Sequence, residues 1–150
     1  MLKIRQGSPA DAPTLTDIAM RSKSHWGYDN AFMEACQGEL TFDESNFPAT
    51  YFGIVEDPMI LGFYALDIHT KDKIEMTALF VEPQYIGRGY GKALMNHAKI
   101  QAKVFGAKEL FVQADPNAEA FYQAMGGIND GKKESGSIAG RYLPILRFNL

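Results

Sequence analysis

The sequence has few of the residues that build metal and redox sites. It contains one cysteine, Cys36, and three scattered histidines, His25, His69 and His97. A single cysteine excludes an internal disulfide and a zinc site with paired cysteines, and the histidines lack the spacing of metal ligands. We therefore expect no metal centre, and we interpret Cys36 as a buried apolar residue rather than a nucleophile.

The chain also lacks long apolar runs and an excess of positive charge. No apolar run approaches the roughly 20 residues that cross a bilayer, and the N-terminal MLKIRQGSPA has no signal-peptide core. The formal net charge is -3, which disfavours nucleic-acid binding. We expect a cytoplasmic protein with no membrane or nucleic-acid partner, built as one domain over residues 1–150.

Apolar periodicity indicates a mixture of helices and strands. Helical spacing predicts helices over 8–23, 29–37, 89–105 and 117–125. Runs of β-forming residues predict strands over 2–6, 51–57, 60–68, 73–81, 108–114 and 141–150. In the helix over 89–105, the spacing predicts that Leu94, Ala98, Ala102 and Phe105 face the core. With two strands after the last helix, the order β-α-α-β-β-β-α-β-α-β-β predicts an α/β (α+β) fold with a mixed sheet flanked by helices.

Three alternate glycines stand between the strand over 73–81 and the helix over 89–105. In LFVEPQYIGRGYGKALM, residues 79–95, they are Gly87, Gly89 and Gly91. Glycine permits a positive φ and leaves the backbone open to close approach, and amides that lead into a helix N-terminus bind anions. The order and spacing of residues in this segment match neither a P-loop motif nor a dinucleotide-binding fingerprint. A glycine-rich turn without a ligand remains the alternative.

The same segment resembles the pyrophosphate-binding segment of the GNAT superfamily of acyl-CoA-dependent N-acetyltransferases, although Ile86 stands where Arg or Gln is usual. A second segment, NAEAFYQAMGG at 117–127, resembles the family pattern N-x-x-A-x-x-F-Y-x-x-x-G-F. It is two residues shorter than this pattern after Ala120, and it has Gly127 in place of the final Phe. The resemblance covers essentially the whole chain. It implies the GNAT fold, a mixed, mostly antiparallel sheet of about six to seven strands with about four helices, and acetyl-CoA (coenzyme A) as the acyl donor.

The resemblance also implies which residues contact the donor. Backbone amides would face the diphosphate at Gly87, Arg88, Gly89, Tyr90, Gly91 and Lys92. The pantetheine arm would pair with the backbone of Leu79, Phe80 and Val81, as an added strand does. Asn117 would also contact the pantetheine, or would cap the helix that follows it.

Transfer of an acetyl group to an amine requires a base and an acid. Glu75 is the candidate base, and period-two alternation predicts that it shares a strand face with Thr77, Leu79 and Val81. A solvated charge on the strand is the alternative. Tyr122 is the candidate acid for the leaving thiolate, because its unperturbed pKa of about 10 keeps the hydroxyl protonated at neutral pH, so that it has a proton to donate. Without the resemblance, a core aromatic is the simpler interpretation.

Two segments bear on the acceptor, and they suggest different amines. By the resemblance, His25, Trp26 and Tyr28 in SKSHWGYDNAFM border the acceptor pocket, where aromatic rings could hold a cation. A packing corner built on Trp26 is the alternative. Arg141 could bind a carboxylate of an amino acid, or lie on the surface in a β-turn. The sequence therefore leaves the acceptor open.

These residues predict an N-acetyltransferase that moves an acetyl group from acetyl-CoA to a primary amine of a small molecule, or of a peptide N-terminus, in a ternary complex. A non-catalytic module that binds CoA or acyl-CoA is the alternative, and a nucleotide-binding protein is a third interpretation. Members of the family often dimerise, so a homodimer is possible.

Overall fold

The computed structural model describes residues 3–68 and 72–150, in which seven strands form one sheet and four α-helices cover it. The strands are β1 (Ile4–Gln6), β2 (Thr50–Glu56), β3 (Ile60–Asp67), β4 (Lys73–Val81), β5 (Glu109–Gln113), β6 (Ile128–Glu134) and β7 (Tyr142–Asn149). The helices are α1 (Ala12–Ser24), α2 (Asn30–Leu40), α3 (Tyr90–Val104) and α4 (Glu119–Ala124). The predicted order of elements and the mixed fold class are confirmed, whereas Leu2 and His69 lie outside the described residues.

The sheet runs in the order β1-β2-β3-β4-β5-β7-β6. Every neighbouring pair is antiparallel except β4 and β5, which are parallel. None of the described helices has the length and apolar content needed to span a membrane.

Helices bury both faces of the sheet. On one face, Leu94, Ala98 and Ala102 of α3 are fully buried in a core that α3 and α4 build with β4, β5 and β7. On the other face, residues of α1 and α2 pack against β2 and β3. The predicted core position of Phe105 is wrong: it follows the last turn of α3, is 39% exposed and contacts the ring of Tyr51 edge-on.

A β-bulge in β4 reverses the alternation of its side chains. Ala65 of β3 pairs with Ala78, but the next residue, Leu66, pairs with Met76, so Thr77 is the extra residue. Met76 therefore packs on the α3 side, whereas Ala78 packs on the α1 side. The prediction that Glu75 shares a face with Leu79 and Val81 is wrong, because one inserted residue exchanges the two faces.

The strands β4 and β5 separate after a short parallel ladder. They pair only from Lys73–Glu109 to Glu75–Phe111. On its other edge β4 stays paired with β3 as far as Val81. Among the described residues, no strand therefore covers the β5-side edge of residues 76–81, and a space opens between the two strands.

A buried tyrosine and a histidine join the sheet to α3. The hydroxyl of Tyr64, which is fully buried, lies 2.7 Å from Nδ1 of His97. Burial lowers the pKa of His97 below its ordinary value. Folded His97 therefore takes up a proton at a lower pH than it does in the unfolded chain.

We expect His97 to reduce stability in mild acid. The unfolded chain protonates this residue near pH 6.5, its unperturbed pKa being about that value, so the free energy of unfolding should fall as pH drops below about 6.5. In a His97→Asn variant, which keeps an amide group near the position of Nδ1, this dependence should disappear. Chemical denaturation from neutral to acidic pH measures it, and Glu75, whose raised pKa acts with the opposite sign, is common to both proteins. Parallel curves for the two proteins would contradict the prediction.

Candidate functional site

The glycine loop adopts a conformation that requires glycine at two positions. Gly87 and Gly89 each have a φ of +87°, a left-handed value that other residues adopt at a cost. A Cβ built at either position would have no atom within 4 Å, so both face open space. Gly91 lies in the first turn of α3, where a Cβ would stand 3.5 Å from the ring of Phe121. The loop is open on one side because it lacks these three side chains.

The loop ends at the N-terminus of α3, a helix of 15 residues that begins at Tyr90. The first hydrogen bond of the helix runs from the amide of Ala93 to the carbonyl of Gly89, at 3.0 Å. The amides of Tyr90, Gly91 and Lys92 therefore have no acceptor within the helix. Together with the helix dipole, such amides form a site for an anion.

Two cavities adjoin this region. The glycine-loop cleft has a volume of about 510 Å³, and the inter-strand cavity, between the diverging strands β4 and β5, has a volume of about 200 Å³. Four residues line both cavities: Trp26, Leu79, Ala118 and Tyr122. The two cavities therefore meet at these residues.

The predicted donor-binding residues fall mainly in the glycine-loop cleft. Its lining includes Leu79, Val81, Gly87, Gly89, Gly91, Lys92 and Asn117. Phe80 instead lines the inter-strand cavity, since the strand alternates. Arg88 and Tyr90 line neither cavity with their side chains, and the Arg88 guanidinium stacks over the ring of Tyr85.

Tyr122 is buried where the two cavities meet, with 5% of its surface exposed. No described residue forms a hydrogen bond with its hydroxyl, and no fully buried side-chain polar atom of the described residues lacks a partner. The hydroxyl is therefore open to the cavities. Burial, and then the charge of Asp115, raises the pKa of Tyr122, so the hydroxyl keeps its proton at neutral pH and can donate it.

Glu75 lines neither cavity, but it lies directly behind a residue that does. Gln113 lines the inter-strand cavity, and its Nε2 donates a hydrogen bond of 3.1 Å to Oε2 of Glu75. Glu75 is half-buried. Burial raises its pKa and the charge of Asp67 adds to this, whereas the hydrogen bond from Gln113 and the charge of Lys133 oppose it.

A hydrogen-bonded cluster of five polar residues, which we call the Asp115 cluster, contributes three side chains, Lys23, Asp115 and Arg141, to the lining of the inter-strand cavity. Its members are Lys23, Tyr28, Asp115, Asn117 and Arg141. Asp115 accepts hydrogen bonds from Lys23 (2.5 Å), Tyr28 (2.8 Å) and Arg141 (3.2 Å). The hydroxyl of Tyr28 also accepts a hydrogen bond from Nη2 of Arg141 (2.9 Å) and one from the side-chain amide, Nδ2, of Asn117 (3.0 Å).

The structure decides between several alternatives that the sequence leaves open for residues in and near this cluster. Arg141 is not a surface residue, because its side chain is only 16% exposed and is paired with Asp115. Asn117 does not cap a helix: Asp115 does, by accepting the amide hydrogen of Asn117 at the start of a 3-10 turn. Trp26 is 46% exposed and does not form a packing corner. His25 contacts its ring edge-on and lines the glycine-loop cleft.

Sequence reasoning missed four polar residues of the inter-strand cavity: Lys23, Glu39, Gln113 and Asp115. Gln113 and Asp115 end and follow β5, so their position after a buried strand was a usable signal. Lys23 and Glu39 lie on helices among other polar residues, where charged side chains usually only face solvent.

The sequence also matches known proteins. Residues 13–127 match the profile of the Acetyltransferase (GNAT) family. The chain belongs to this family. A GNAT member from Rhodopseudomonas palustris, solved as a GCN5-related N-acetyltransferase, superposes with a TM-score of 0.82 at 26% identity and covers 100% of this chain and 96% of its own.

Two further GNAT relatives come from Thermoplasma acidophilum. A spermidine N(1)-acetyltransferase is 26% identical over 122 residues, which are 72% of this chain and 74% of the relative. The PaiA N-acetyltransferase, solved in complex with coenzyme A, has a TM-score of 0.73 at 22% identity, covering 100% of this chain and 99% of its own. The second likeness shows the shared fold.

Membership of the GNAT family makes the protein an N-acetyltransferase that uses acetyl-CoA. The chain's own residues fit this donor. The free amides at the start of α3 and the open faces of Gly87 and Gly89 suit a diphosphate. The uncovered edge of β4 suits an arm that carries amides, since backbone groups there have no strand partner on that side.

Proposed function

We propose that the protein acetylates a primary amine of a small molecule in a ternary complex, with acetyl-CoA in the glycine-loop cleft and the amine in the inter-strand cavity. The observation that carries this proposal is the meeting of the two cavities at Leu79 and Tyr122. Two reactants that enter by separate openings can then meet without a covalent enzyme intermediate.

The loop and strand residues hold the donor. The amides of residues 87–92 bind the diphosphate, and the backbone of Leu79, Phe80 and Val81 pairs with the pantetheine arm, which Asn117 also contacts. Acetyl-CoA supplies the thioester that is to be cleaved. The size of the inter-strand cavity, about 200 Å³, suits a small acceptor better than a folded protein, although a peptide N-terminus remains a second candidate.

Two side chains manage the protons. An alkylammonium has a pKa of about 10.4 and is therefore protonated at neutral pH. The amine must lose this proton before its nitrogen can form the new amide bond. Glu75 accepts this proton through a water molecule, and the hydrogen bond that Gln113 donates to the carboxylate holds Glu75 in place. Tyr122 donates its hydroxyl proton to the sulfur as the carbon–sulfur bond breaks. Trp26 and Arg141 contact the acceptor in the inter-strand cavity. His25 packs on Trp26 from the side of the glycine-loop cleft, and Tyr28 supports Arg141 by accepting a hydrogen bond from it.

An amine-panel assay tests the proposed function. Purified protein is mixed with acetyl-CoA and single amines, including amino acids, polyamines and short peptides, and the release of free thiol is measured. We expect thiol release that depends on a particular small amine. Binding of CoA without release in the presence of any amine would contradict catalysis. In the same proposal the protein acts in the cytoplasm, without nucleic acid or membrane; a homodimer stays a prediction that light scattering would test.

Replacing Glu75 with glutamine should lower turnover by about a hundredfold at neutral pH, the low end of what a general base contributes. The loss of turnover should become smaller as the pH approaches the pKa of the amine, because the amine is then already deprotonated and needs no base. The rate of the native enzyme should fall in acid as the carboxylate, with its raised pKa, is protonated, and the variant should lack this fall. The measurement is kcat against pH.

Glu109→Gln provides the matched control for this substitution. Glu109 lies on β5 at the start of the ladder with β4 and pairs with Lys73, away from both cavities. It should keep the native profile. If Glu75→Gln also keeps it, Glu75 has no part in the mechanism.

A further inference from the structure

The Asp115 cluster contains more positive than negative charge. Lys23 and Arg141 both pair with the single carboxylate of Asp115, and the three side chains are only 13%, 16% and 11% exposed. Tyr28 does not supply a second negative charge, because burial and the neighbouring Asp115 raise the pKa of its hydroxyl. Within the part of the chain that the structure describes, one positive charge of the cluster therefore has no carboxylate of its own in a partly buried place, where a bound anion would be favourable.

Some N–H donors of the Arg141 guanidinium make no hydrogen bond to any described residue. Its Nη2 contacts both Tyr28 and Asp115, whereas no described residue accepts from its Nε or Nη1. No fully buried polar side-chain atom in the described residues lacks a partner, so these two groups are accessible, and Arg141 lines the inter-strand cavity. The guanidinium stacks 4.9 Å from the ring of Phe32, which fixes its plane. Nε and Nη1 lie on different edges of the guanidinium, so each can donate one charge-assisted hydrogen bond to a carboxylate oxygen.

The other charged residues around this cavity are arranged differently. Glu39 lines it too, but is exposed, so solvent screens its charge. Glu75 lies behind Gln113, on the β4–β5 side of the cavity. A molecule in the cavity therefore meets a carboxylate behind one wall and an excess of positive charge at the Asp115 cluster.

We propose that the acceptor is a small primary amine that carries a carboxylate, and that Arg141 and Lys23 bind this carboxylate. The inference rests on the proposed function, because it assigns the acceptor to the inter-strand cavity. It differs from the activity named for the spermidine N(1)-acetyltransferase relative. A polyamine would bring additional positive charge towards Lys23 and Arg141.

Three matched acceptors test the proposal: an amino acid, its amide and the diamine of equal chain length. We expect kcat/KM for the acid to exceed that for the amide by at least about tenfold, as a charge-assisted hydrogen bond contributes, and that for the diamine to be lowest. Arg141→Gln should raise KM for the acid by about tenfold, with little change for the amide. Arg147→Gln, in the strand β7 that begins directly after Arg141 but paired with Asp130 away from both cavities, should leave both values unchanged.

Asp115→Asn keeps the shape of the helix cap but removes its negative charge, so it should increase the preference for the acid. A purely structural role of the cluster predicts instead an equal loss for all acceptors. Thermal unfolding verifies that each variant is folded, and Arg141→Lys should restore part of the preference if Arg141→Gln is unstable. A kcat/KM for the amide or the diamine that equals or exceeds that for the acid would overturn this inference alone, whereas the absence of any acetylated amine would overturn the proposed function with it.

Discussion

Replacing Gly89 with valine should weaken the binding of CoA by more than about a hundredfold. Gly89 has a φ of +87°, which costs a β-branched residue about 1–3 kcal/mol. Without CoA, the loop of the variant shifts to relieve this strain. To bind CoA, it must return to the strained conformation. The new side chain would also fill the open space beside the free amides of α3, and each charge-assisted hydrogen bond lost costs about 1.5–3 kcal/mol. With one such bond lost, the two costs sum to about 2.5–6 kcal/mol, or roughly two to four powers of ten in Kd. Titration calorimetry with CoA measures it.

The same helix offers a matched control for the strain. Gly106 follows the other end of α3, has a φ of +90° and also has no atom within 4 Å of a Cβ position. Gly106→Val should therefore reduce the melting temperature about as much as Gly89→Val and leave the Kd for CoA unchanged. Native affinity in Gly89→Val would show that the diphosphate does not bind at this loop.

The sequence predicted those features that depend on neighbours along the chain. Gly87 and Gly89 could be recognised because a tight turn before a helix selects glycine locally, whatever packs around it. Leu94, Ala98 and Ala102 could be assigned to the core because a helix repeats its faces at fixed spacing. Phe105 failed this rule because it stands past the last turn, where the spacing no longer determines direction.

The features that were missed depend on other parts of the fold. The extra residue at Thr77 is defined only by the register with β3, and an alternating sequence looks the same with or without it. The hydrogen bonds of the Asp115 cluster join residues up to 113 positions apart, so no local pattern reveals the cluster. The consequence for the site is considerable. The bulge places Glu75 behind Gln113 instead of beside Leu79, and the cluster supplies the charge that bears on the acceptor.

Replacing Tyr122 with phenylalanine should lower kcat by about 10²–10⁴, the range of a lost general acid. The ring would still fill its buried position between the two cavities, so the Kd for CoA and the melting temperature should stay close to the native values. Because burial raises the pKa of Tyr122 above its ordinary value, the native enzyme should lose no activity to its ionisation up to about pH 10. Single-turnover measurements of thiol release separate this loss from changes in product release.

A second tyrosine serves as the control for this last substitution. Tyr85 also lines the glycine-loop cleft, but not the inter-strand cavity. Its hydroxyl is therefore not at the junction where the sulfur and the amine must meet, and Tyr85→Phe should keep the native kcat. If both variants turn over at the native rate, a group other than Tyr122 protonates the leaving sulfur. If both are slowed equally, the hydroxyls act by shaping the cleft and not by donating a proton.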